Sequence, residues 1–159
     1  MAEFEIDPAF IATSAALGDL ALCHARLQLD ARYPWIVLIP RQAGLREIED
    51  LSAEERIALI DETVLAGSAV RAVAQVLGLA VDKLNVGALG NVTPQLHVHV
   101  LGRRVGDPAW PGPVWGHSAG EAYEAEVLER AVAAAKAALS IYNPLIPANA
   151  GTQIPRRCG

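Results

Sequence analysis

Residues 91–104 read "NVTPQLHVHVLGRR", and they set two of the chain's four histidines, His97 and His99, two positions apart in an apolar run. In an extended strand, alternate side chains share a face. Gln95, His97, His99, Leu101 and Arg103 then point one way, and Leu96, Val98 and Val100 the other. The second set has the character of core. The first is a mostly polar, ionisable row presented to something.

The neighbouring segments supply the rest of a sheet. "VDKLNVGAL" (81–89) reads as the preceding strand, separated from the histidine strand by Gly90 and a short polar turn. "LALCHARLQLD" (20–30) alternates, with Cys23, Ala25, Leu27 and Leu29 on one face and His24, Arg26 and Gln28 on the other, as in a half-buried strand. "WIVLIPR" (35–41) is a β-branched run bounded by prolines, and so a further strand. Ser52 and Glu55 match a capping box, followed by an apolar stripe through Ile57, Ile60, Val64, Val73, Val76 and Leu77 that stops near Gly78. Ser118 and Glu121 are expected to open a second long helix, with Val127, Leu128, Ala131, Val132, Ala135 and Leu139 inward. Asp7 ahead of Pro8 predicts a short helix over "DPAFIATSAAL" (7–17). Hairpins lying outside the helices predict an α+β fold: one antiparallel sheet with two long helices. A single domain is expected over 1–141, followed by an irregular tail over 142–159.

Composition limits the partners. At 159 residues, 52% hydrophobic and 19% charged, the chain can bury a sizeable core. No apolar run approaches the roughly 20 residues that span a bilayer, and "MAEFEIDPAF" lacks the order of a secretory signal. No membrane partner is expected. Thirteen basic against eighteen acidic residues give a net charge of -5, which disfavours nucleic acid but not a small phosphate ligand. Cys23 reads as core and Cys158 as a tail thiol, so no disulfide framework is expected and a reducing cytoplasm is the expected compartment.

The His-x-His pair admits three readings. It can be a strand edge with satisfied imidazoles. It can be a metal site, although nothing nearby supplies the third and fourth ligands such a site wants. Or it can be a nucleophile acting at phosphorus, since a neutral imidazole is nucleophilic near pH 7 and leaves readily once phosphorylated. Asn85, Gly87 and Gly90 lie just upstream, where turn amides can form an anion-binding nest.

"NVGALGNVTPQLHVHVLGRR" resembles the signature of the histidine triad (HIT) superfamily, with its Asn-x-Gly stretch, glycine turn and alternating histidines. The first triad histidine is Gln95 here, and the second and third are His97 and His99. "LQLDARYPWIVLIPR" is similar to the two strands flanking that family's nucleotide pocket, and the glutamine form resembles a bacterial branch carrying "PQLHVHV" and "DPAWPGPVWG". The resemblance covers roughly residues 20–104. It implies that His97 attacks the α-phosphorus of a nucleotide and carries a covalent nucleotidyl group. It implies that His99 bonds a phosphate oxygen or the bridging atom, that Asn85 contacts phosphate, and that backbone amides near Asn91 and Val92 hold the non-bridging oxygens. Asp30 would accept from the ribose hydroxyls. Homodimerisation through joined sheets is also implied.

Two departures bear on the chemistry. Trp35 stands where the family often has a further histidine, and Gln95 can donate and accept but cannot titrate. A proton relay through that position is lost, which favours leaving groups that need little protonation, as in dinucleoside polyphosphates or adenylylated phosphates, over phosphoramidates. Arg103 shares the histidine face and could reach phosphate. Trp110 and Trp115 could wall a base pocket or pack the C-terminal segment. The expected function is a hydrolase or transferase cleaving at a nucleotide α-phosphate; the alternative is a nucleotide-binding module with little turnover. No cofactor is expected beyond magnesium brought by a polyphosphate substrate.

Overall fold

A computed structural model describes residues 3–140. The predicted tail over 142–159, with Cys158, lies outside the described residues. Five strands form one antiparallel sheet: β1 (Ser14–Asp19), β2 (Cys23–Gln28), β3 (Trp35–Pro40), β4 (Lys83–Gly87) and β5 (Val98–Arg103), in the spatial order β1-β2-β3-β5-β4. Among the described residues three α-helices accompany it: α1 (Pro8–Thr13), α2 (Ala53–Leu77) and α3 (Ala125–Ser140). The α+β expectation holds. No helix among the described residues is long and apolar enough to cross a membrane.

Alternation along the strands builds two different layers. Ala25, Leu27, Ile36, Leu38, Val98 and Val100 face α2 and α3 and form the larger core. On the opposite face, Tyr33, Trp35, Val37, Ile39 and Leu101 are covered by Phe10 of α1 and by Ala109 and Val114. The central strand β3 is therefore buried on both faces, which explains why its sequence is a continuous apolar run.

Local chemistry fixes the helices. Ser52 accepts from Glu55 N while Glu55 accepts from Ser52 N, closing the predicted capping box of α2. Gly78, at φ +66, ends that helix in the left-handed conformation that glycine adopts without a Cβ clash. Asp7 accepts from Ala9 N at 2.9 Å to start α1.

Four expectations are corrected. The 7–17 helix stops at Thr13, and Ser14–Asp19 becomes β1, paired with β2 across a bulge between Ala16 and Gly18. The second long helix starts at Ala125, not at Ser118–Glu121. Glu121 N donates to Asp30 Oδ1 (3.2 Å) and Glu121 O accepts from Ala31 N (2.8 Å), so this segment is tied to the end of β2 and cannot wind. The strand holding the histidines begins at Val98; Gln95 and His97 precede it. Finally, the stripe on α2 holds only in its second half, where Val73 is buried and Val76 and Leu77 pack on the core. Ile57, Ile60 and Val64 are 65%, 63% and 71% exposed, while Leu59, Ala66, Val70 and Val73 are buried. Small residues bring α2 close to the sheet: a Cβ on Gly67 would lie 3.0 Å from Leu84.

Candidate active site

The layer of the sheet away from α2 and α3 carries a cleft. His97, His99, Trp35, Trp115 and Asn91 line a cavity of about 480 Å³, together with Phe10. A second cavity of about 450 Å³ holds Asp30, Arg32, Ser118 and Gly120, and the two share Thr13, Gln28, Trp35 and Trp115 as common walls. Together they are large enough for a nucleotide-sized ligand.

The register of the sheet explains who stands beside the histidines. His99 lies opposite Val37 on β3 and opposite Gly87 on β4. A Cβ on Gly87 would lie 3.2 Å from the Trp115 indole, so this glycine leaves the space the indole fills. Trp115 stands 5.6 Å from His99 and 6.1 Å from Trp35, centroid to centroid. Its Nε1 is buried and has no acceptor among the described residues.

Hydrogen bonds set the two imidazoles in opposite tautomers. His97 Nδ1 lies 2.7 Å from the carbonyl oxygen of Gln95, which can only accept. Nδ1 therefore carries the proton, and Nε2 keeps its lone pair. His99 Nδ1 instead accepts from Trp35 Nε1 at 3.0 Å, so its ring proton resides on Nε2. The rings are 4.7 Å apart and nearly perpendicular, at 86°. Burial holds His97 below the usual imidazole range, with the Gln95 carbonyl pulling the other way. Burial, with a contribution from the His97 charge, pushes His99 down to about 3. At neutral pH the site thus holds one free lone pair and one N–H donor, both uncharged.

Asp30 closes the far end. Its Oδ1 accepts from Arg32 N (3.2 Å), Arg32 Nε (2.9 Å) and Glu121 N (3.2 Å), and its Oδ2 from the other side of the guanidinium (2.7 Å). Burial opposes the charge, but these donors hold the carboxyl below its ordinary value. Oδ2 has the spare accepting capacity, and Gly120, whose Cβ would be only 3.4 Å away, leaves it approachable.

The remaining expected residues divide. Asn91 and Val92 lie on the turn walling the histidine cavity. Gln95 is turned toward the N-terminal segment: its Oε1 accepts from Asp7 N (2.9 Å) and its Nε2 donates to Glu5 O (2.8 Å). Asn85 and Arg103 line neither cavity. Arg103 is 2% exposed, donates from Nε and NH2 to Asp107 (2.7 and 2.9 Å), and gives NH1 to Asn85 Oδ1 (2.8 Å). This bidentate pair, with Arg103 5.7 Å from the Trp110 ring, anchors the segment that delivers Trp115. The structure thus places Asn85 and Arg103 in a hydrogen-bonded group with Asp107, outside both cavities. Sequence reasoning missed Phe10 and Arg32. The Asp-x-Arg spacing at 30–32 was the available signal for Arg32, whereas Phe10 lies far from the motif in sequence. His24 bonds Asp19 at the other end of the sheet, and no three His, Cys, Asp or Glu side chains among the described residues converge as metal ligands.

Comparison with known families decides the fold's kinship, because a model of the HIT domain matches residues 11–106. The chain belongs to the histidine triad (HIT) family. Solved HIT proteins resemble it over nearly their whole length. One from Sinorhizobium meliloti is 38% identical, with 86% of this chain and 97% of that one covered, at a TM-score of 0.77. One from Marinobacter aquaeolei is 36% identical over 89% and 100%, at 0.80. A third, from Bradyrhizobium japonicum, is 35% identical over 87% and 99%, at 0.78. No curated protein matches the sequence.

Proposed function

We propose that this HIT protein is a nucleotide hydrolase or transferase that cleaves at the α-phosphate through His97. The observation that carries the reading is the pair of hydrogen bonds, His97 Nδ1 to the Gln95 carbonyl and Trp35 Nε1 to His99 Nδ1, which leave a lone pair on His97 Nε2 and a proton on His99 Nε2. In the first step His97 Nε2 attacks the α-phosphorus, an N–P bond forms, and the P–O bond to the leaving group breaks with its electron pair on the departing oxygen. The charge on the imidazolium is held by Nδ1–H against the Gln95 carbonyl, and the N–H of His99 supports a phosphate oxygen. Water then attacks phosphorus, the N–P pair returns to Nε2, and a proton leaves to solvent. A transferase uses another acceptor in water's place. Amides near Asn91 and Val92 hold the non-bridging oxygens, the ribose hydroxyls bond Asp30 Oδ2, and the indole of Trp115 lies against the nucleoside. Magnesium, where needed, enters with the polyphosphate.

Among the described residues neither His99, which is neutral, nor Gln95, which faces the N-terminal segment, can act as an acid toward a leaving amine. Substrates are therefore acid anhydrides, dinucleoside polyphosphates or adenylylated acids, whose leaving groups depart as anions. The test is turnover of diadenosine polyphosphates against adenosine phosphoramidate, with acid quenching to trap labelled nucleotide on His97. Anhydride cleavage that disappears in His97→Ala, with AMP binding retained, is the expected result. AMP binding without turnover in the wild type would make the protein a binding module.

We also propose a homodimer. The exposed stripe Ile57, Ile60 and Val64 on α2, with the unpaired edge of β4, offers an apolar surface to a second copy. Ile60→Asp should yield a monomer by light scattering, and a wild type that is already monomeric would refute the proposal.

A further inference from the structure

Gln95 occupies the first triad position, yet both ends of its carboxamide are consumed by the backbone of residues 5 and 7. These bonds span nearly ninety residues of sequence and fix the point from which α1 departs. Phe10, on α1, is 6% exposed and meets the His97 ring edge-on at 4.6 Å. The same helix supplies Ala9 and Thr13 to the wall of the histidine cavity. We infer that Gln95 is a positioning residue that clasps the N-terminal segment, and through it Phe10, against His97. The glutamine fits this task because its carboxamide donates and accepts at once, from two atoms on one planar group.

The clasp acts on the nucleophile in two ways. Phe10 restricts the His97 ring to the orientation in which Nδ1 meets the Gln95 carbonyl. It also keeps water from the back of the ring, so that the neutral form persists into acid. The other ionisable groups around His97 are His99 beside it, Asp7 in the clasped segment, and Arg46, Glu47 and Glu49, which share with it a cavity of about 160 Å³. Exchanging glutamine for methionine leaves all of these charges unaltered.

The inference rests on His97 as nucleophile only for its kinetic consequence, so its primary test does not use turnover. In the full chain, the His97 ring protons are followed by NMR against pH in wild type, Gln95→Met, Phe10→Leu and the double variant. Each single variant should raise the His97 midpoint, and the double variant should raise it no further than the larger single. A wild-type midpoint in Gln95→Met, or shifts that add in full, would overturn the inference. Hydrogen exchange in the wild type gives a second reading that needs no variant. The Asp7 amide, bonded to Gln95 Oε1, should be protected, and rapid exchange there would be equally fatal. In kinetics, a ring returned to the ordinary value of about 6.5 is only about one-tenth neutral at pH 5.5. The ratio of kcat/KM at pH 5.5 to that at pH 8 should then fall by up to about tenfold in Gln95→Met. If the wild type turns over nothing, the kinetic arm fails while the NMR arm still stands.

Discussion

The indole N–H of Trp35, at the start of β3, donates to Nδ1 of His99 on β5 across 3.0 Å. An indole N–H can only donate, so the bond admits one tautomer of His99. Trp35→Phe keeps the ring but removes the donor. Long-range proton–nitrogen spectra should show His99 shifting from a single Nε2–H tautomer to a mixture. Turnover should drop by about tenfold, the size of one hydrogen bond of about 1 kcal/mol or slightly more. Unchanged nitrogen shifts would show that the indole does not set the tautomer.

Asp30 is predicted to read the sugar. AMP should raise the melting temperature, because a ligand binding only the folded state stabilises it. Asp30→Ala should shrink that rise, whereas for 2′,3′-dideoxy-AMP the wild type and the variant should respond alike. A loss that is equal for both ligands would mean the variant damages the cleft as a whole.

The Arg103–Asp107 pair should behave as structure. Arg103 and Asp107 side chains are 2% and 0% exposed, so Arg103→Ala strands a buried carboxylate and should cost about 3–5 kcal/mol in urea denaturation. Trp115 fluorescence should change with it, since the anchored segment carries that indole. A loss of nucleotide affinity with no loss of stability would instead return Arg103 to the binding role the motif suggested.

Acid should weaken the fold through the histidines. Both His97 and His99 have values lowered on folding, His99 to about 3, so the unfolded chain binds more protons below about 6.5. Stability is then complete above that pH and declines as pH falls from about 6.5 toward 3. Denaturation midpoints measured across this range should fall less steeply in His99→Phe than in the wild type.

Much of this architecture is legible from residue pattern alone, and the exceptions have causes. The capping box at Ser52 and Glu55 works because it is a contact between neighbours in sequence. β1 was hidden because "SAALGD" has no β-branched residue and reads as more helix; its pairing with β2 decides otherwise. Periodicity found the inward Val73, Val76 and Leu77 of α2 but not the first half of the helix, where Leu59, Ala66 and Gly67 pack inward and Ile57, Ile60 and Val64 face out. Alternation put Arg103 on the histidine face, but four residues of strand carry it about 13 Å beyond His99. Asp107 waits there. The hydrogen bonds of Gln95 are not legible locally, because its partners, Glu5 and Asp7, lie at the other end of the sequence.

The unequal covering of the sheet has a further consequence. Among the described residues, one face is closed by helices of 25 and 16 residues, the other by a short helix of 6 and by irregular chain. Opening free energies need not be uniform across such a molecule. The strands and α2 should exchange their amides only through global unfolding, while α1 and the stretch around Trp115 should open separately and more often. The cleft lies beneath those two pieces, so occupancy by a nucleotide should slow exchange there without altering it on the helical side. The molecule divides its cohesion in this way. One layer should persist, and the other should loosen enough to admit and release a nucleotide.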